Sequence, residues 1–165
     1  EMETIAHDPY PDHEAAKELG YEYVELDRLV KESDIISINC PLTDSTHHLL
    51  SEKQFEKMDE TIIINTARGA IIDTTALIDA LEKDYVKAAG LDVLEEECYL
   101  EDDIEVLGDL PDECDTETVL EDHLLMERDD VLVTPHNAFN SIEALHRIED
   151  TTLDNLENRE NVVNE

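Results

Sequence analysis

Three consecutive isoleucines, Ile62-Ile63-Ile64, run directly into Asn65-Thr66-Ala67-Arg68-Gly69. Branched apolar residues at successive positions read as a strand covered on both faces, the habit of parallel sheets flanked by helices. The short polar turn that follows puts Arg68 just past the strand's carboxyl end. In open parallel α/β sheets, ligands sit outside the carboxyl ends of the strands. A guanidinium in that position suits a carboxylate, which it can grip through two parallel hydrogen bonds. The plain alternative is a surface or helix-capping arginine.

Other apolar runs share this form: Thr4 to Ala6, Ile35 to Asn39, Ala89 to Val93 and Val131 to Thr134. Helical patterns separate most of them. His13 to Leu19 follows the turn Pro9-Tyr10-Pro11-Asp12. Leu26, Leu29 and Val30 fall on one helix face, and Ser51 to Met58 opens with Ser51 as N-cap. Asp73 or Thr74 caps a helix that carries Leu77, Ile78 and Leu81 on one side. Strands alternating with helices imply right-handed crossovers and one parallel sheet. The rhythm breaks from Glu95 to Asp130, an acidic excursion whose clear apolar cluster is Leu120 to Met126. Ser141 then caps a long helix through Leu156, and the tail from Asn158 is expected to fray.

The charge is extreme. Asp and Glu total 45 against 11 Lys and Arg, a net charge of -34. The acid is spread along the whole chain, which favours a hydrated surface in a salt-rich cytoplasm over a single partner-binding face. Nucleic-acid binding is disfavoured, because no basic patch could neutralise phosphates. No apolar stretch approaches the roughly 18 residues of a membrane span, so no membrane is expected. Hydrophobic residues make up 41% of the chain, enough for a packed core. The cysteines Cys40, Cys98 and Cys114 are odd in number and lack metal-ligand spacing, as suits a reducing compartment.

Several strand ends carry chemistry. Asp8 follows the first run. In a dinucleotide-binding sheet an acid there accepts hydrogen bonds from the adenosine ribose and repels a 2′-phosphate; turn initiation explains it equally well. Cys40-Pro41 ends the second run, where Pro41 turns the chain away. Thr43 and Thr46 are expected to cap local backbone. His47 and His48 are adjacent and expected to point in different directions, so no metal site is assigned. Asp92 closes another run, and Glu97 lies in the acidic stretch Glu95-Glu96-Glu97. His136, after Thr134-Pro135, can exchange protons near neutrality.

The ordered set Asn65-Thr66-Ala67-Arg68-Gly69, Gly90-Leu91-Asp92-Val93 with Glu97, and Thr134-Pro135-His136-Asn137-Ala138-Phe139 resembles the motifs of the NAD-dependent D-isomer-specific 2-hydroxyacid dehydrogenases. Leu120-Glu121-Asp122-His123 and the ending Asn137 to Ser141 resemble their D-lactate-dehydrogenase-like branch. The resemblance implies an α/β fold, the parallel sheet of a Rossmann-type NAD-binding domain lacking its first βα unit. It implies residues 1–140 as a partial NAD-binding domain and 141–165 as a segment returning to a separate substrate domain. By the same resemblance, Arg68 binds the carboxylate of a 2-keto or D-2-hydroxy acid, and His136 exchanges a proton with the keto oxygen. Glu97 holds His136 protonated. Asp8, Cys40, Pro41, Thr66, Ala67 and Asp92 line NAD, and the full-length parent is a homodimer.

The resemblance also implies a Gly-rich G-x-G-x-x-G turn before the Asp8 strand, and this sequence does not contain one. The chain is therefore expected to bind NAD poorly by itself and to turn over little. An NAD-sensing, corepressor-like interaction module is the alternative from another class. An inactive fragment is a third.

Overall fold

The computed structural model describes residues 2–96 and 115–158, so Glu97, Cys98, Cys114 and half of the acidic excursion lie outside the described residues. The chain divides into two units, one ending at Pro135 and one starting at His136.

In the first unit, β1 (Ile5–Ala6) pairs in parallel with β2 (Glu22–Tyr23). The helix between them, α1 (His13–Leu19), starts where Asp12 accepts hydrogen bonds from the Glu14 and Ala15 amides, and stops at Gly20, whose φ of 79° is left-handed. Helix α2 (Leu26–Glu32) leads to β3 (Ile35–Ile38). Next come α3 (Glu52–Phe55), opened by a Ser51/Gln54 capping box, and β4 (Thr61–Asn65). A 3-10 turn, Gly69–Ile71, joins β4 to α4 (Thr74–Glu82), whose cap is Asp73. Then follow β5 (Val86–Leu91), α5 (Thr116–Met126) and β6 (Val131–Val133).

Strands β3 to β6 form a four-stranded parallel sheet in the order β3-β4-β5-β6. The single sheet expected from the sequence is thus two, β1-β2 and β3-β4-β5-β6. The orders β2-β1 and β3-β4-β5-β6 correspond to the 3-2 and 4-5-6 wings of the doubly wound order 3-2-1-4-5-6, the second longer here by one strand, with no described strand in the place of strand 1. Strand β2 was missed because two residues cannot display a period. Strand β5 begins at Val86 and ends at Leu91, earlier than expected, because the chain leaves the ladder at Asp92.

The core lies under β3, β4 and β5, where Val30, Ile63, Phe55, Ile71, Leu77 and Val86 are almost wholly shielded from water. On β4, Thr61, Ile63 and Asn65 are buried while Ile62 and Ile64 are half-buried, which is the both-sides-covered strand the isoleucine run implies. Fully burying one such side chain contributes about 1.5–3 kcal/mol.

The second unit holds α6 (Ile142–Asn158), started by a hydrogen bond from the Ala144 amide to the Ser141 hydroxyl (3.1 Å). Its Ile142, Leu145, Ile148, Leu153 and Leu156 are exposed. Among the described residues, no helix is long and apolar enough to cross a membrane.

Candidate active site

The turn after β4 is built by Asn65. Its side chain is fully buried, its Oδ1 accepts from the Ala67 amide (3.0 Å), and its Nδ2 donates to the Arg68 carbonyl (2.9 Å). Both ends of the amide are therefore spent on the loop backbone, and Asn65 shapes the turn. Its carbonyl accepts from the Asp92 amide (2.9 Å), which ties this turn to the end of β5.

Arg68 projects from the turn and is exposed, with Nη1 donating to the Ala67 carbonyl at 2.6 Å. Among the described residues it makes no ion pair, whereas Arg28 is held by Glu22 and Glu32, and Arg128 by Asp130. In so acidic a chain, an arginine outside those pairs keeps its fork available for an incoming carboxylate.

Gly69 is required by packing. A Cβ built there would lie 1.8 Å from the Leu94 carbonyl oxygen and 2.4 Å from the Glu95 amide nitrogen. The loop carrying Arg68 and the segment leaving β5 thus touch backbone to backbone.

Asp92 is 4% exposed, and its Oδ1 accepts from the Thr134 hydroxyl at 2.5 Å. That bond joins the ends of β5 and β6. Asp8 is exposed, and its Oδ1 accepts from the Tyr10 amide (2.7 Å), the turn-initiating geometry. Cys40 is half-buried. Burial pushes its thiol upward, and the nearby Asp8 carboxylate adds to that push. A thiol so shifted stays protonated and is a poor nucleophile. The Pro41 carbonyl accepts from the Thr46 hydroxyl (2.6 Å), and the same hydroxyl accepts from the Thr43 amide (2.8 Å), so Thr46 caps local backbone as expected. Thr66 is exposed and Ala67 half-buried in the Arg68 turn.

His136 opens the second unit with a φ of 47°, a left-handed conformation uncommon for a non-glycine residue. Backbone held this way clusters at functional sites. Glu97 lies outside the described residues.

The structure adds residues that the sequence did not mark. Asp122 of α5 is 4% exposed. Its Oδ2 accepts from the Glu96 amide (3.0 Å), and Oδ1 faces the Thr74 hydroxyl at 3.4 Å. Burial, reinforced by the charge of Glu95, raises its carboxyl to about 7. Glu95 accepts from the Thr74 amide (3.1 Å) and contacts His48 Nε2. In a run of acids nothing distinguishes the buried carboxylate from the solvated ones; only the fold does that. His47 and His48 also depart from expectation. Their rings are 4.0 Å apart, because His48 takes a φ of 50° that swings adjacent side chains to one side.

Residues 1–138 match the family described as D-isomer specific 2-hydroxyacid dehydrogenase, NAD binding domain, and the chain belongs to it. It is 44% identical over 163 residues to the D-lactate dehydrogenase of Escherichia coli, covering 96% of this chain and 46% of that protein. A glyoxylate reductase of Aeropyrum pernix is 50% identical over 97 residues, 58% of this chain and 29% of that protein. Among solved structures, a D-lactate dehydrogenase from Aquifex aeolicus complexed with NAD and lactic acid superposes with a TM-score of 0.78 at 34% identity, over 94% of this chain and 45% of that one. The chain spans about half the length of such relatives. The Rossmann-type α/β reading and the D-lactate-dehydrogenase-like branch both stand on these matches.

Proposed function

We propose that this chain is the cofactor-binding part of an NAD-dependent dehydrogenase that interconverts 2-keto acids and D-2-hydroxy acids. The observation that carries the reading is Arg68: an exposed guanidinium at the carboxyl end of a buried parallel strand, outside any ion pair among the described residues of an acidic chain. It would bind the substrate carboxylate by a two-pronged contact.

NAD supplies the hydride chemistry when bound. The residues present suit its adenosine and nicotinamide ends. Asp8 follows β1 and Cys40 follows β3, and the exposed Asp8 carboxylate can receive ribose hydroxyls. Pro41 turns the chain after Cys40. Thr66, Ala67 and the buried Asp92 border the end of the sheet from which Arg68 projects, where a nicotinamide amide can donate to Asp92. His136 would exchange the proton of the substrate oxygen, with Glu97 as its carboxylate partner. These roles rest on the family motifs, Glu97 lying outside the described residues.

The same reading takes residues 1–140 as the cofactor-binding domain and 141–165 as the return to a substrate domain. It also takes the parent protein as a cytoplasmic homodimer, and the acidic surface as an adaptation to a salt-rich interior.

Arg68→Ala in the intact protein carrying this chain tests the reading. Loss of a charged, two-pronged contact predicts kcat/KM for the keto acid down by about 10²–10³ with the NADH dissociation constant nearly unchanged. Turnover at the unaltered rate would remove Arg68 from the site.

A further inference from the structure

We propose that His47, His48 and Glu95 form a binding site for a borderline divalent cation of the zinc class. One donor atom from each of the three side chains lies within 4.8 Å of the others. Two imidazoles and one carboxylate are a ligand set that zinc and its first-row neighbours favour, leaving further positions for water.

The cluster is built from two separate stretches of chain, each fixed by backbone bonds. The His48 amide donates to the Ala70 carbonyl (2.9 Å), and the Leu50 amide to the Ile71 carbonyl (3.1 Å), so the histidine loop is zipped to the 3-10 turn. That zip holds His48 at a φ of 50° and brings the two rings together. On the other side, Glu95 is only 14% exposed in its side chain, and the Thr74 amide fixes its Oε2 (3.1 Å). Its Oε1 is left to face His48 Nε2.

A supporting layer is also present. Asp73 caps α4 with Oδ1, which accepts from the Ala76 amide (3.0 Å). Its Oδ2 lies 3.8 Å from His48 Nδ1. At that distance Asp73 makes no hydrogen bond to the ring, but its carboxylate adds negative charge beside the three donors, which favours a bound cation. Metal–nitrogen and metal–oxygen bonds of about 2 Å each would set His48 Nε2 and Glu95 Oε1 roughly 3 Å apart, so the two donors would part slightly around an ion. The chain's net charge of -34 draws cations of every kind, so selectivity must come from the imidazoles.

The test uses the intact protein after chelation and dialysis. Zinc is titrated calorimetrically in a large excess of magnesium, which saturates diffuse acidic binding but competes poorly for imidazole. Cobalt(II) substitution gives the coordination from its visible absorption. The expected result is one zinc per chain, a cobalt spectrum of low-coordinate type, and a melting rise of roughly 5 °C at hundredfold excess over the dissociation constant. His47→Ala changes an exposed side chain, so the fold should stand while affinity falls tenfold or more; Glu95→Gln should also weaken binding. Zinc uptake abolished by magnesium, or unchanged in His47→Ala, would overturn the proposal.

Discussion

Gly69 and Leu94 meet backbone to backbone: a side-chain carbon on Gly69 would sit 1.8 Å from the Leu94 carbonyl oxygen. The contact clamps the loop that carries Arg68 against the segment that leaves β5. Neither partner can move aside by rotating a side chain.

Gly69→Ala is accordingly expected to be among the most damaging single methyl additions in the chain. Backbone must shift on a layer bounded by Ile71 and Leu94, both buried. The expected cost is about 3 kcal/mol or more. Urea unfolding of the variant beside the parent measures it, and a loss below about 0.5 kcal/mol would mean that the two segments separate freely.

Asp122 makes stability depend on pH. Its folded-state carboxyl is raised to about 7 from an ordinary 3.8. The folded chain therefore holds this proton more tightly than the unfolded chain. The resulting stability is fully present below the unfolded value and is lost as pH rises from near 4 to near 7. Its upper bound is about 4 kcal/mol, before relaxation and water entry reduce it. Asp122→Asn stays neutral and can still accept from the Glu96 amide. The gap between variant and parent should move in the variant's favour across that window and then level off. Melting both proteins at a series of pH values isolates this carboxyl from the other acids, and a constant gap would refute the linkage.

Much of this was legible in the sequence because it rests on short-range chemistry. The isoleucine run marked β4, and Ser51, Asp73 or Thr74, and Ser141 marked helix starts because capping is local. What escaped depends on tertiary contact. Whether β1 joins β3 in one sheet is decided by what lies between them, which no run of residues encodes. Asp122 and Glu95 look like their solvated neighbours until α5 packs on α4. The paired His47 and His48 rings follow from a left-handed φ at a residue type that gives only weak warning of it.

Salt should stabilise this fold. The surface pairs Arg28–Glu32, Lys83–Asp79 and Lys57–Asp27 would weaken as salt screens them, but pairs this exposed contribute little. Repulsion among charges summing to -34 is relieved by the same screening and acts on the whole chain. The second effect wins, so the melting midpoint should climb from low salt to molar KCl. A flat or falling midpoint would show that the acidic surface costs little.

Asp8 should decide which dinucleotide the protein prefers. Its Oδ1 is committed to the Tyr10 amide, and the carboxylate is exposed just past the end of β1. A charge there accepts ribose hydroxyls and repels a 2′-phosphate. Asp8→Asn keeps the bond to Tyr10 through its amide oxygen and removes the charge. In the intact protein, the ratio of kcat/KM with NADPH to that with NADH is expected to rise about tenfold or more, equivalent to about 1.4 kcal/mol. Thermal stability should change little, since the turn bond survives. An unchanged ratio in a stably folded variant would leave Asp8 as a turn former only and move cofactor discrimination elsewhere.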